Sequence, residues 1–199
     1  MKLSDLILLS IASLAFFYIQ LWDEHIVTPL YLSSLAICSL YGFYAKNLNI
    51  AHIAGFIFVL NTAAYAVFEL GIINDVTPEE NKILQSSLIY GVQLFFSLTT
   101  VLVLIFRVQL SRVFSNSKSI ELIHFDGIFH WVYLYTSLVY FLALLEDLAF
   151  VLFDMKSWTL IYDNFEGLIY ISWALCCGAL LTMMICEAKS NRSGEANAL

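Results

Sequence analysis

The stretch IFHWVYLYTSLVYFLALLEDLAFVLF, residues Ile128–Phe153, decides the fold. Its 26 residues are apolar, aromatic or hydroxyl-bearing, except for His130 near one end and the adjacent carboxylates Glu146 and Asp147 toward the other. At about 1.5 Å per residue, a helix of this length crosses a hydrocarbon core of about 30 Å. Five more runs of the same kind lie at Leu3–Trp22, Thr28–Ala45, Ile50–Ile73, Ile83–Phe106 and Gly167–Cys186. Hydrophobic residues make up 61% of the 199-residue chain and charged residues 13%, against about 45–50% and about 25% in soluble domains. So few polar residues cannot cover a water-facing surface. The chain reads as an all-α integral membrane protein, a compact bundle of six transmembrane helices over residues 1–188. A small, polar tail at 189–199 reads as disordered. Leu3–Trp22 has the length of a full span and no small-residue cleavage site, so it is expected to be retained rather than removed as a signal peptide.

Orientation follows from the connections, because Lys and Arg are retained on the cytoplasmic side. Lys2, Lys46, Arg107, Arg112, Lys118, Lys189 and Arg192 fall at one end of the bundle, and only Lys82 and Lys156 at the other. Seven against two places both termini in the cytoplasm, and the expected location is a bacterial inner (plasma) membrane. The opposite end is acidic, with Asp23, Glu24, Asp75, Glu79, Glu80, Asp154, Asp163 and Glu166, so the net charge of −7 is mainly an outward-facing property. No basic patch supports a nucleic-acid role. In the long basic-end connection, Leu110, Val113 and Phe114 recur at helical spacing beside Arg107 and Arg112, the pattern of a short helix on a membrane surface.

A carboxylate at membrane depth is costly, about 2.5–3.5 kcal/mol at a span centre on insertion scales, so it faces the bundle interior and finds partners. Glu69, Glu146 and Asp147 are such residues, all in the acid-end half of their spans. Asn61, Tyr65 and Glu69 step by four along one face of the third span; Gln93, Ser97 and Thr100 line the fourth. Thr136, Tyr140 and Asp147 lie within about 40° of one another on the fifth. These stripes are expected to converge on one polar cluster, in which tyrosines donate to carboxylates that share a proton. Such a cluster serves either to brace helices or to bind an ion or relay protons.

Catalytic signatures are scarce: there is no GxSxG, HExxH or P-loop motif, and the histidines His25, His52, His124 and His130 are scattered. Cys38, Cys176, Cys177 and Cys186 lie within or at the ends of spans without CxxC spacing. No cofactor, metal or enzymatic activity is therefore expected. Transporter helices are typically broken by Gly or Pro near the midplane, whereas Pro29 and Pro78 sit at or between span ends. That favours a non-enzymatic protein that binds a membrane or periplasmic protein partner, such as an accessory subunit, a regulator or a toxin-immunity protein. Trp158, Tyr162 and Phe165 in the acidic loop are its candidate docking surface. The alternative is a small transporter or channel for a cation or proton-coupled solute that uses the carboxylates.

Overall fold

The computed structural model describes residues 24–73, 82–115, 120–153, 155 and 157–196. The span expected at Leu3–Trp22 and most of the 74–82 connection lie outside them. The described residues form six helices and no strand: α1 Glu24–Tyr44, α2 Leu48–Glu69, α3 Lys82–Ile105, α4 Arg107–Phe114, α5 His124–Phe153 and α6 Leu160–Ala196. All but the short α4 are long and apolar enough to cross a membrane, so five of the six expected spans are present among the described residues.

Successive long helices run antiparallel, which defines two ends of the bundle. The acidic end holds the start of α3 and the α5–α6 connection; the basic end holds the α1–α2 turn, α4 and the entry into α5. The five long helices form a ring: α1 packs on α2, α2 on α3, α3 on α5, α5 on α6, and α6 returns to α1. Large apolar side chains point away from it, including Leu40, Val59, Phe95, Trp131 and Leu175, each more than half exposed. Water would make such an exterior aggregate, whereas lipid solvates it.

The α1–α2 hairpin is closed by local chemistry. Gly42 lets the two backbones meet, since a Cβ there would lie 2.7 Å from Ala51 Cα. Lys46 takes the left-handed conformation, with φ 55°, at the end of α1. Asn47 then caps α2 by accepting from Asn49 N at 3.1 Å and Ile50 N at 3.3 Å, while its amide donates to Glu187 Oε2 of α6 at 2.8 Å. The basic-end half of the ring is filled: Leu35, Ile50, Ile53, Ile57, Phe129 and Leu180 are fully buried there.

α6 differs from its expected bounds. It begins at Leu160 rather than Gly167 and continues to Ala196, through residues read from sequence as a disordered tail. Hydropathy marks only the membrane-buried middle of a helix, and polar turns such as Tyr162-Asp163-Asn164 extend it beyond the apolar run.

Candidate functional site

The carboxylates that raise the question in the sequence do not share one site. Glu146, buried on α5, reaches the first turn of α6, where its two oxygens accept from Ile161 N at 3.3 Å and Tyr162 N at 2.7 Å. A helix start leaves such N–H groups without intrahelical partners and carries partial positive charge, which explains a carboxylate at this depth. The residue preceding the helix leaves that role open: Thr159 turns its hydroxyl to Asp163 Oδ2, at 2.8 Å. Asp147, next along the chain and about 100° around the helix, accepts instead from Ser86 Oγ of α3 at 2.6 Å. Glu69 is exposed and accepts from Tyr65 Oη, one turn earlier, at 2.8 Å. One carboxylate caps α6, the second ties α5 to α3, and the third pairs within α2.

The other expected polar residues do come together. Asn61, Tyr65, Gln93 and Tyr140 line a cavity of about 270 Å³ in the acid-end half of the ring, to which all five long helices contribute. Tyr31 and Thr28 of α1 and Phe165, Tyr170 and Trp173 of α6 complete much of its wall. The rings are mutually braced. Tyr31 stacks on Trp173 with centroids 4.6 Å apart and planes 3° from parallel, and Phe165 packs against Tyr140 at 5.7 Å and Tyr90 at 5.5 Å. A narrow recess of about 40 Å³ shares Asn61, Gln93, Tyr140 and Trp173 with the cavity and continues to Thr100, Thr136 and Tyr133.

The floor of this space is a buried hydrogen-bond chain. Tyr31 Oη lies 2.7 Å from Tyr133 Oη, and Asn61 Nδ2 donates to Tyr133 Oη at 2.9 Å and to Ile57 O at 2.8 Å. Both amide hydrogens of Asn61 are thereby used, which leaves its carbonyl oxygen as the group it can offer. Nearby hydroxyl pairs hold the walls together: Ser97 Oγ is 2.8 Å from Ser137 Oγ, and Thr136 Oγ1 donates to Ser172 Oγ at 2.8 Å. Gln93 is different, because its buried Oε1 has no hydrogen-bond partner. A buried acceptor left without a partner costs about 1–3 kcal/mol; among the described residues His52 Nδ1, Thr62 Oγ1, Arg107 Nε and Ser111 Oγ are also buried without one.

The expected docking trio divides. Trp158 and Tyr162 are exposed at 62% and 69%, whereas Phe165 is turned into the bundle as part of the cavity wall. Sequence spacing places all three in one loop, but α6 starts before Phe165, so its direction is set by helix geometry.

At the opposite end, a network absent from the sequence reading surrounds Arg107. Its side chain is 1% exposed and donates to Asn49 Oδ1 at 2.9 Å, Glu121 O at 2.7 Å and Asp126 Oδ2 at 2.6 Å. Asp126 also accepts from Ile123 N at 2.8 Å. The network joins the starts of α2 and α4 to the segment that enters α5. Arg107 and Ser111, four residues apart, form the inward face of α4, while Val113 and Phe114 are exposed at 81% and 73%. Opposite charges at the ends of consecutive antiparallel spans carried a signal, but topology counting uses only the sign of Arg107 and ignores Asp126. Tyr31, Tyr133 and Trp173 were also missed, because aromatics in an apolar span look like any other lipid-facing or core residue.

Among the described residues, no group of three His, Cys, Asp or Glu side chains is placed to hold a metal ion. Compared with known proteins, the chain matches no family model, no curated protein and no solved structure, so the reading of the site rests on its own geometry.

Proposed function

We propose that the chain is a non-enzymatic membrane protein that binds a small solute in the acid-end half of its helix ring, with that end facing away from the cytoplasm. The observation that carries this reading is the cavity to which all five long helices contribute, with braced aromatic walls and an unpartnered Gln93 oxygen. A volume of about 270 Å³ suits a ligand near the lower end of the range of roughly 300–1,000 Å³ for small-molecule pockets. Among the described residues the lining contains no His, Cys, Lys or Arg, which supports binding rather than nucleophilic or metal-assisted chemistry. Passage through the ring is less well supported. The Tyr31–Tyr133–Asn61 chain and the filled basic half lie beneath the cavity, and Glu146 and Asp147 are committed to other helices.

Cysteine accessibility tests this reading. Ala64 lines both the cavity and its recess. With the exposed Cys186 changed to Ser, Ala64→Cys should react with a small membrane-impermeant thiol reagent added on the non-cytoplasmic side, and not when it is added on the other. No reaction from either side would sink the reading, and reaction from the cytoplasmic side alone would reverse the orientation.

A second reading, docking of a membrane or periplasmic protein partner, draws on the exposed Trp158 and Tyr162 at the same end. Purification from native membranes should then yield a stoichiometric partner that is lost with Trp158→Ala/Tyr162→Ala. Recovery of the chain alone would leave those rings as membrane-interface anchors.

A further inference from the structure

Hydrogen-bond donors collect where the narrow recess opens from the cavity. Tyr140 of α5, Trp173 of α6 and Gln93 of α3 line both spaces. Among the described residues, the Tyr140 hydroxyl and the Trp173 indole N–H have no partner in the chain. Neither is one of the sealed atoms that lack a partner, so both present surface to the hollow. Gln93 buries its Oε1 in the wall, which leaves its amide N–H groups for the recess. An indole or amide N–H can only donate. The other hydroxyls of the recess are already spent on its walls: Ser97, Thr100 and Thr136 donate to Tyr133 O, Phe96 O and Ser172 Oγ.

Charge narrows the class of ligand further. Among the described residues no Lys, Arg or His lines either space, so an anion would sit at membrane depth without a counter-charge. A protonated amine would aim its hydrogens at N–H and O–H groups, and the lining carboxylate, Glu166, is not free to receive it. A hydrocarbon would leave the donors unmet. An uncharged molecule with an oxygen acceptor is the class that remains. The larger space adds a preference for a flat body. Phe165 packs against Tyr140 at 5.7 Å and Tyr170 against Trp173 at 5.4 Å, so the ring walls are fixed in orientation before any ligand arrives.

We infer that the cavity binds a small uncharged aromatic carbonyl compound, whose oxygen enters the recess to accept from the Tyr140 hydroxyl and the Trp173 indole N–H and whose ring lies between the aromatic walls. The inference rests on the cavity being a solute site, as proposed above, and adds the class of solute. A carbonyl oxygen carries two lone pairs and can take both bonds. The recess, about 40 Å³, admits little more than such an oxygen, whereas the cavity of about 270 Å³ has room for the ring.

The test uses the full chain in lipid nanodiscs, with empty discs as the blank, so that affinity is referred to each probe's concentration in lipid. Acetophenone is the probe. Isopropenylbenzene keeps its shape with a methylene in place of the carbonyl oxygen, and benzoate keeps the ring and adds a charge. Titration should show acetophenone binding at least about tenfold more tightly than either. Its infrared carbonyl stretch should fall in wavenumber on binding, as an accepted hydrogen bond requires. Tyr140→Phe removes a hydroxyl that has no partner in the chain, so the fold should be kept. It should weaken acetophenone binding about fivefold, reverse part of the infrared shift and leave isopropenylbenzene binding unchanged. If that variant does not fold, the probe ranking and the shift in wild type still decide. Equal affinity for acetophenone and isopropenylbenzene, benzoate bound as tightly as acetophenone, or a Tyr140→Phe protein that binds acetophenone as wild type does overturns the inference while the cavity still stands as a solute site. Ala64→Cys that is labelled in a protein that binds none of the three probes has the same meaning. Ala64→Cys that is not labelled at all removes the solute site itself, and the inference with it.

Discussion

The two ends of the helix ring solve opposite problems. At the basic end a charged residue is sealed inside: Arg107, 1% exposed, meets Asn49, a backbone carbonyl and Asp126 within 2.9 Å, and apolar side chains fill the space beyond. At the acidic end the buried carboxylate, Glu146, is committed to the start of α6. A cavity of about 270 Å³ is left open between aromatic walls. The first arrangement makes a rigid base, because breaking it strands an ion in a low-dielectric interior. The second leaves the ring unfilled, so the side chains that line it forgo packing contacts that the basic end makes. The comparison teaches that membrane-embedded polar residues have to be sorted by what they pack against, because residue type alone does not separate a sealed brace from the wall of a hollow.

The largest effect should come from the sealed end. Asp126→Ala leaves Arg107 buried without its counter-charge and should cost about 3–5 kcal/mol, read as a lower midpoint in detergent-induced unfolding. If Asp126→Ala unfolds no earlier than wild type, Arg107 is reaching water and the contrast between the ends fails. Gly42→Ala should follow at about 2 kcal/mol, because the new Cβ runs into the Ala51 backbone rather than into a flexible side chain. A proximity cross-link between α1 and α2 should weaken in parallel. A substitution at Gly91, where an added Cβ meets nothing within 4 Å, is the matched control.

Glu146→Gln tests whether the acidic end is braced from outside the cavity. If the carboxylates only brace the bundle, sequence leads one to expect Glu146→Gln with Asp147→Asn to hold or raise stability, since amides keep most of the hydrogen-bonding capacity and remove charge. The structure reverses this for Glu146: both oxygens accept backbone N–H groups, and an amide replaces one acceptor with a donor pointed at a donor. A loss of about 1–3 kcal/mol is expected for Glu146→Gln. Asp147→Asn should be near neutral, because its remaining carbonyl can still accept from Ser86. Equal effects of the two single substitutions would show that the α6 cap does not hold. The smallest effect has the opposite sign: Gln93→Met should stabilise the apo protein by about 1 kcal/mol by removing an unsatisfied acceptor. A loss of stability there would mean that Gln93 Oε1 does have a partner.

Much of this was legible along the chain, and the division has a physical basis. Hydropathy and length locate the spans because lipid demands an apolar exterior and an internally hydrogen-bonded backbone over a set thickness, and both demands act residue by residue. The turn at Lys46–Asn49 was equally readable, because a short polar link forces an antiparallel hairpin. The stripes that carry Asn61 and Tyr65 on one span and Gln93 on the next pointed to a polar interior that the ring does contain. What failed was the grouping: Glu69, Glu146 and Asp147 share depth and charge but are directed to three different partners. Adjacent residues on a helix diverge by about 100°, and no one-dimensional pattern says which neighbour waits in each direction.

By itself, then, the sequence determined that this is a helical membrane protein, where most of its spans lie, which end is acidic, and which polar residues sit at membrane depth. Those are properties of a segment and its solvent. The tertiary structure alone decided that Glu146 caps α6, that Arg107 and Asp126 lock the basic end, and that Tyr31, Gln93 and Trp173 enclose a hollow. Each of those depends on the direction and distance of side chains from helices far apart in the chain, which no property of a single segment encodes.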